Sequence, residues 1–218
     1  MGQATLAEFH EKTQSDLSVV TADTYGQEML VLNHHTAPKC PLAWAVRMSM
    51  SIPFVWQEVR WQAEWGRYRN KDITGHTIVD GGTLSNFPIY LVASSDPEVM
   101  KVMGGTDPNT VPNLGLLIDE TLEVEGAPPR ETPKGTNEIK GELLDHVSHL
   151  RTIGRIRQLI DTITTAYDRN AIEAHKEEIC RLPAKGYGTT EFDMSDARRD
   201  ALINAGQKAM KEYLKTFG

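Results

Sequence analysis

The stretch "TIVDGGTLSNFPIY", residues 77–90, decides how this chain is read. Ile78 and Val79 make a short apolar strand that runs directly into Asp80, Gly81 and Gly82. A carboxylate at the C-terminal end of a central strand lies on the rim where open α/β sheets build their sites. Glycines behind it permit backbone conformations closed to other residues and leave room for another group to approach. The same residues also suit an ordinary turn, in which an aspartate bonds its own backbone two residues on. The choice between a site and a turn rests on what surrounds the motif.

Upstream, "PLAWAVRMSMS", residues 41–51, reads as a helix, with Pro41 suited to its first turn. Pro53 stops it, because the residue before a proline is pushed out of the helical region. Before that helix, "DLSVVTADTYGQEMLVLN" gives two strands around a turn at Tyr25 and Gly26, with Val19, Val20, Val31 and Leu32 in short apolar runs. After it, Val59, Trp61, Ala63 and Trp65 alternate with polar neighbours, the pattern of a half-buried strand. "NLGLLID" is a continuous apolar run, which predicts a strand buried on both faces.

The second half changes character. "GAPPRETPKG", residues 126–135, is a loop. Leu143, Val147, Leu150, Ile153, Ile156, Ile160 and Ile163 recur every three or four positions and predict a long amphipathic helix. A polar connection, "RLPAKGYGTTEFDMSD", leads to a last helix with Ser195 as N-cap and Asp196 in its first turn. Leu202, Ala205, Ala209, Tyr213 and Phe217 share one face of it. Strands alternating with helices predict an α/β class. The expected organisation is one domain over 1–218, sheet-bearing in 1–125 and mainly helical in 136–218.

Composition narrows the function. The 218 residues carry a net charge of −7, which argues against a nucleic-acid surface. No apolar run approaches the length of a bilayer span. Cys40 and Cys180 fit neither a metal spacing nor a disulfide framework, and reduced buried thiols are expected. The opening "MGQATLAEFHEKTQSD" lacks the apolar core of a signal peptide and reads like the interior of a domain. A cytoplasmic location is expected, with a membrane-peripheral or secreted parent as the alternatives.

"LAWAVRMSMSIPFVWQEV", then a spacer, then "IVDGGTLSNFPI" resembles the patatin-like phospholipases, a family of lipid acyl hydrolases. Asn86, Phe87 and Pro88 agree with that pattern, and "NLGLLIDE" with "RLPAKGYGTTEFDMSDARRDALINAG" looks like the carboxy-terminal part of bacterial members. The resemblance runs from about Leu17 to the end. It implies a partial patatin-like three-layer α/β/α domain with long carboxy-terminal helices, and a serine–aspartate dyad without histidine. Asp80 takes the position of the general base, and Gly81 and Gly82 complete its motif. No metal or organic cofactor is implied. The implied substrate is a phospholipid or other acyl lipid, with peripheral membrane contact.

The serine of such a dyad belongs on a G-x-S-x-G elbow preceded by a glycine-rich oxyanion loop, and the sequence contains neither. Ser49, Ser51 and Ser85 read as structural or capping serines. The expectation is therefore a carboxy-terminal part, inactive alone, completed by an amino-terminal segment or a complementary chain that carries the serine. The alternative is a non-catalytic relative that binds lipid or a partner. Trp61 and Trp65, in the cluster with Phe54, Trp56 and Tyr68, are candidates for an acyl-chain wall; packing of a strand against a helix is the plainer reading, given the alternation.

The histidines carry no metal expectation. Adjacent His34 and His35 on a strand would point to opposite faces. His146 and His149, three apart on a helix, have no third ligand at suitable spacing.

Overall fold

A computed structural model describes residues 4–105, 112–129, 143–188, 191 and 194–216. The chain divides into two compact units, Met1–Val111 with Val147–Ala174, and Pro112–His146 with His175–Gly218.

In the first unit, Thr5 and Glu8 form a reciprocal capping box that starts α1 (Leu6–Thr13), and Gln14 ends it in the left-handed region at φ 52°. β1 (Val19–Asp23) and β2 (Glu28–Leu32) follow as an antiparallel hairpin, with Val19 opposite Leu32. Its turn is built by Asp23, whose Oδ1 accepts the backbone N–H groups of Tyr25 and Gly26, both at 2.9 Å. α2 (Leu42–Ser49) begins after Pro41, which stands at the N-cap with extended backbone rather than inside the first turn. β3 (Val59–Arg60) and β4 (Thr77–Asp80) complete a four-stranded antiparallel sheet in the order β2-β1-β4-β3.

Strand alternation gives this sheet two covered faces. Leu30, Leu32 and Ile78 join Leu6 of α1 and Ala45 and Met48 of α2 in the main core. Val20 and Val31 point the other way, onto Leu91 of α3 (Tyr90–Ala93) and Val99 and Val102 of α4 (Pro97–Met103). The unit is therefore a sheet between two helical layers, the three-layer α/β arrangement expected.

Three local expectations are corrected. The strand at Val59 ends at Arg60, and Ala63–Trp65 turns into a 3₁₀ helix that exposes Ala63 and buries Trp61 and Trp65. "NLGLLID" forms β5 (Gly115–Asp119), but Leu116 and Ile118 are exposed. Part of the expected polar connection is a strand, β6 (Ile179–Pro183), paired in parallel with β5 in the second unit. There Asp119 at the end of β5 pairs with Arg181 at 2.9 Å.

The long amphipathic helix is α5 (Leu143–Ala174), 32 residues. The side chains of Leu143, Val147, Leu150 and Ile153 lie outside the described residues, as does most of the 126–135 loop. Of the rest of the expected apolar face, Ile156 and Ile160 are half-buried while Ile163 is exposed. α6 (Asp196–Leu214) packs on β6 and half-buries Leu202, Ala205, Ala209 and Tyr213; Phe217 lies outside the described residues. Ser195 is its N-cap, although its side chain makes no cap hydrogen bond. Buried Arg198 meets Glu191 at 2.8 Å and also donates to the carbonyls of Pro128 and Gly186. Among the described residues, no helix is long and apolar enough to cross a membrane.

Candidate active site

Asp80 is the last residue of β4, opposite Thr21 of β1, and is half-buried. Its backbone N–H donates to the Ser51 carbonyl at 3.1 Å, which ties the strand end to the segment leaving α2. Its Oδ1 accepts the Gly82 N–H at 2.8 Å, and its carbonyl accepts the Thr83 hydroxyl at 2.8 Å. Gly81–Thr83 is one turn of 3₁₀ helix capped by this carboxylate. The aspartate thus performs the ordinary turn function and presents a fixed carboxylate at a sheet end.

The glycines have separate reasons. A Cβ on Gly81 would stand 2.6 Å from the Val20 carbonyl oxygen of β1, so only glycine lets the turn lie on that strand. A Cβ on Gly82 would meet the Asn86 side chain at 2.7 Å.

Ser51 is fully buried, donates to the Arg47 carbonyl at 2.7 Å and accepts from the Arg47 guanidinium. Ser85 is buried and donates to Asp168 Oδ1 at 2.5 Å. The other oxygen of Asp168 accepts the backbone N–H groups of Asn86 and Phe87 at 2.8 and 3.0 Å. Asn86 also donates from its amide to Thr164 at 3.0 Å. Buried Asp168 on α5 is therefore an anchor that holds the segment following the glycine turn. It was not singled out in the sequence. The available signal was the four-residue spacing of Ile160, Thr164 and Asp168, which places all three along one line of a helix.

Trp61 and Trp65, the wall candidates, lie in the main core at 1% and 5% exposure, edge to face with ring centroids 5.6 Å apart. The Trp61 indole donates to the Gly66 carbonyl at 2.8 Å, the partner a buried tryptophan needs. The aromatic residues of this segment that reach the surface are Phe54 and Trp56. With Pro53, Val55, Gln57 and Glu58 they wall an open groove of about 490 Å³, whose floor includes Thr24, Thr77 and Val79. Alternation along β4 turns Thr77 and Val79 toward this groove and leaves Ile78 and Asp80 on the opposite face.

An acid–imidazole pair was also not legible. Fully buried Asp23 holds the His76 Nδ1 at 2.6 Å, across 53 residues of sequence. The Tyr25 ring covers that imidazole, centroids 4.5 Å apart. Both cysteines are buried and unpaired, and burial pushes the Cys40 thiol up to about 12.

Residues 3–93 match the model of the patatin-like phospholipases, a stretch that includes Asp80, Gly81 and Gly82. The uncharacterized protein YqhO of Bacillus subtilis (strain 168) is 26% identical over 217 residues. That alignment takes in 96% of this chain, and the chain spans 60% of the relative's length.

Proposed function

We propose that Asp80 is the general base of a lipid acyl hydrolase of the patatin-like phospholipase family, whose model residues 3–93 match, completed by a serine from outside these 218 residues. The observation that carries the reading is the seat of Asp80. Its carboxylate is held at a strand end by the Gly82 N–H, on a turn that Gly81 alone can make against β1. A base must be within hydrogen-bond reach of the hydroxyl it serves, and a fixed carboxylate meets that demand at low entropic cost.

In the proposed reaction the serine oxygen bonds to the acyl carbonyl carbon while Asp80 takes the hydroxyl proton. The tetrahedral intermediate collapses, the ester C–O bond breaks, and the leaving alkoxide recovers the proton from Asp80. Water then adds to the acyl-serine with Asp80 again accepting a proton; the acyl C–O bond to serine breaks, Asp80 returns that proton to the serine oxygen, and the fatty acid departs. Backbone N–H donors for the oxyanion would come with the serine segment. The reaction uses no metal or organic cofactor. The apolar wall of Phe54, Val55 and Trp56 suits an acyl chain lying along β4, and the same exposed rings suit contact with a lipid surface.

The test is labelling with a fluorophosphonate probe together with hydrolysis of a short-chain nitrophenyl ester. The 218-residue chain is expected to show neither. A longer polypeptide that adds an upstream G-x-S-x-G segment is expected to show both, and Asp80→Asn in it to lower kcat by about 10²–10⁴-fold. Labelling of the 218-residue chain itself, or full activity of the Asp80→Asn protein, refutes the reading. Lipid binding without labelling in the longer polypeptide would favour a non-catalytic relative.

A further inference from the structure

His34 and His35 do not lie on a strand, so the argument that they face apart fails. They sit in the turn directly after β2. Buried Asn33 builds that turn, accepting the backbone N–H groups of His35 and Thr36 at 3.0 and 2.9 Å. Its amide donates to Ser18 and to the Val102 carbonyl, which fixes the turn against α4 and the start of β1. On this platform the His34 ring stacks on His10 from the last turn of α1, centroids 3.7 Å apart and planes within 6°. Asp16, two residues past the left-handed Gln14, brings its carboxylate to the same edge of both rings.

The donor atoms converge. Asp16 Oδ1 lies 3.0 Å from His10 Nδ1 and 3.5 Å from His34 Nδ1, and the three donors fall within 4.8 Å of one another. Bonds of about 2.0–2.1 Å in a tetrahedral zinc site put neighbouring donors roughly 3.3–3.4 Å apart, between those two separations. The His34 Nδ1 is buried and makes no hydrogen bond. An orphaned imidazole nitrogen aimed at a carboxylate and a second imidazole calls for a partner of its own. Burial lowers the pKa of His34, and the nearby His35 and His10 lower it further, against the pull of Asp16.

We propose that His10, Asp16 and His34 bind a transition-metal dication, zinc in the first instance, with a fourth position open to water or another ligand. Two imidazoles and one carboxylate form a borderline donor set that suits zinc and its first-row neighbours over magnesium or calcium. Binding takes the His10 Nδ1 from the Ser15 carbonyl, 3.3 Å away, leaves that ring's proton on Nε2, and splays the stacked rings until both nitrogens converge on the ion. The ion would join α1, the following loop and the end of β2. Those three segments belong to one unit, and the site is separate from the residues assigned to ester hydrolysis.

The experiment is calorimetric titration of the chelator-stripped 218-residue chain with Zn²⁺, backed by the visible spectrum of the Co²⁺ form. One ion per chain and the absorption of tetrahedral cobalt are expected. His10→Ala and His34→Ala should each weaken binding by at least about 100-fold, since even loss of a residue supporting a ligand costs 10–100-fold. Asp16→Asn, a change at an exposed position that keeps the shape, should weaken it about tenfold or more with the circular dichroism spectrum unchanged. Absence of uptake, or uptake equal in the parent and in the His10→Ala/His34→Ala double variant, overturns the proposal. The double variant also separates this site from any binding by His146 and His149.

Discussion

Replacing Gly81 by alanine tests whether the turn that seats Asp80 is held by a backbone contact. The added Cβ would lie 2.6 Å from the Val20 carbonyl oxygen, 2.7 Å from its carbon and 2.9 Å from Val20 Cγ1. Ordinary contact begins at 3.4 Å, so β1 and the turn must part by about 0.8 Å. The two nearest atoms are backbone atoms of the strand registered with β4 through Thr21 and Asp80, so rotating the Val20 side chain cannot relieve the clash. Overpacking of this kind costs about 1–3 kcal/mol, and one or two weakened ladder hydrogen bonds add about 1 kcal/mol each. The expected loss is about 2–5 kcal/mol. Gly82→Ala is the internal control, because its Cβ meets the movable end of the Asn86 side chain and its cost is limited to about 1 kcal/mol, the value of the Asn86–Thr164 bond. Urea unfolding followed by tryptophan fluorescence reports on the right part of the molecule, since Trp44, Trp56, Trp61 and Trp65 all lie in the first unit. Gly81→Ala within about 0.5 kcal/mol of the parent, or no costlier than Gly82→Ala, would refute the reasoning.

Two further predictions rest on other contacts. Asp168→Ala removes the acceptor of three hydrogen bonds and should cost about 2–4 kcal/mol; faster hydrogen exchange confined to the Asn86 and Phe87 amides and their neighbours is the measurement, and unchanged exchange there would contradict the anchor role. Burial raises the Cys40 thiol from 9.0 to about 12, so in the unfolded chain it ionises first. The stability it contributes is complete below pH 9 and is lost as the pH rises toward 12, with a slope of up to about 1.4 kcal/mol per unit. Urea unfolding between pH 8 and 11 should show a steeper alkaline loss in the parent than in Cys40→Ala, and parallel curves would refute it.

Elements bounded by local signals were legible in the sequence. The β1–β2 hairpin, the helix between Pro41 and Pro53, and the strand running into Asp80-Gly81-Gly82 follow from apolar period, proline and glycine, which act within a few residues. The misreadings share a cause. The alternation from Val59 to Trp65 also fits a strand that breaks into a 3₁₀ turn, because Trp61 and Trp65 can reach one core either way. "NLGLLID" is apolar along its length, yet β5 has a single described partner, β6, and leaves Leu116 and Ile118 exposed. The apolar stripe of α5 was read through Ile163, but the buried line passes through Thr164 and Asp168, and Leu159, Ile163 and Tyr167 face outward.

By itself the sequence determined the β1–β2 hairpin, the helix after Pro41, the long helices α5 and α6, and that a carboxylate followed by two glycines ends a strand. Those outcomes depend on backbone preferences and on the period of apolar residues, which neighbouring residues settle among themselves. Tertiary structure decided which polar side chains meet: Asp168 with Ser85, Asp23 with His76, and His10 with Asp16 and His34. Such meetings depend on strand register and helix placement across tens of residues, and a buried polar group shows its purpose only when its partner stands within hydrogen-bond reach.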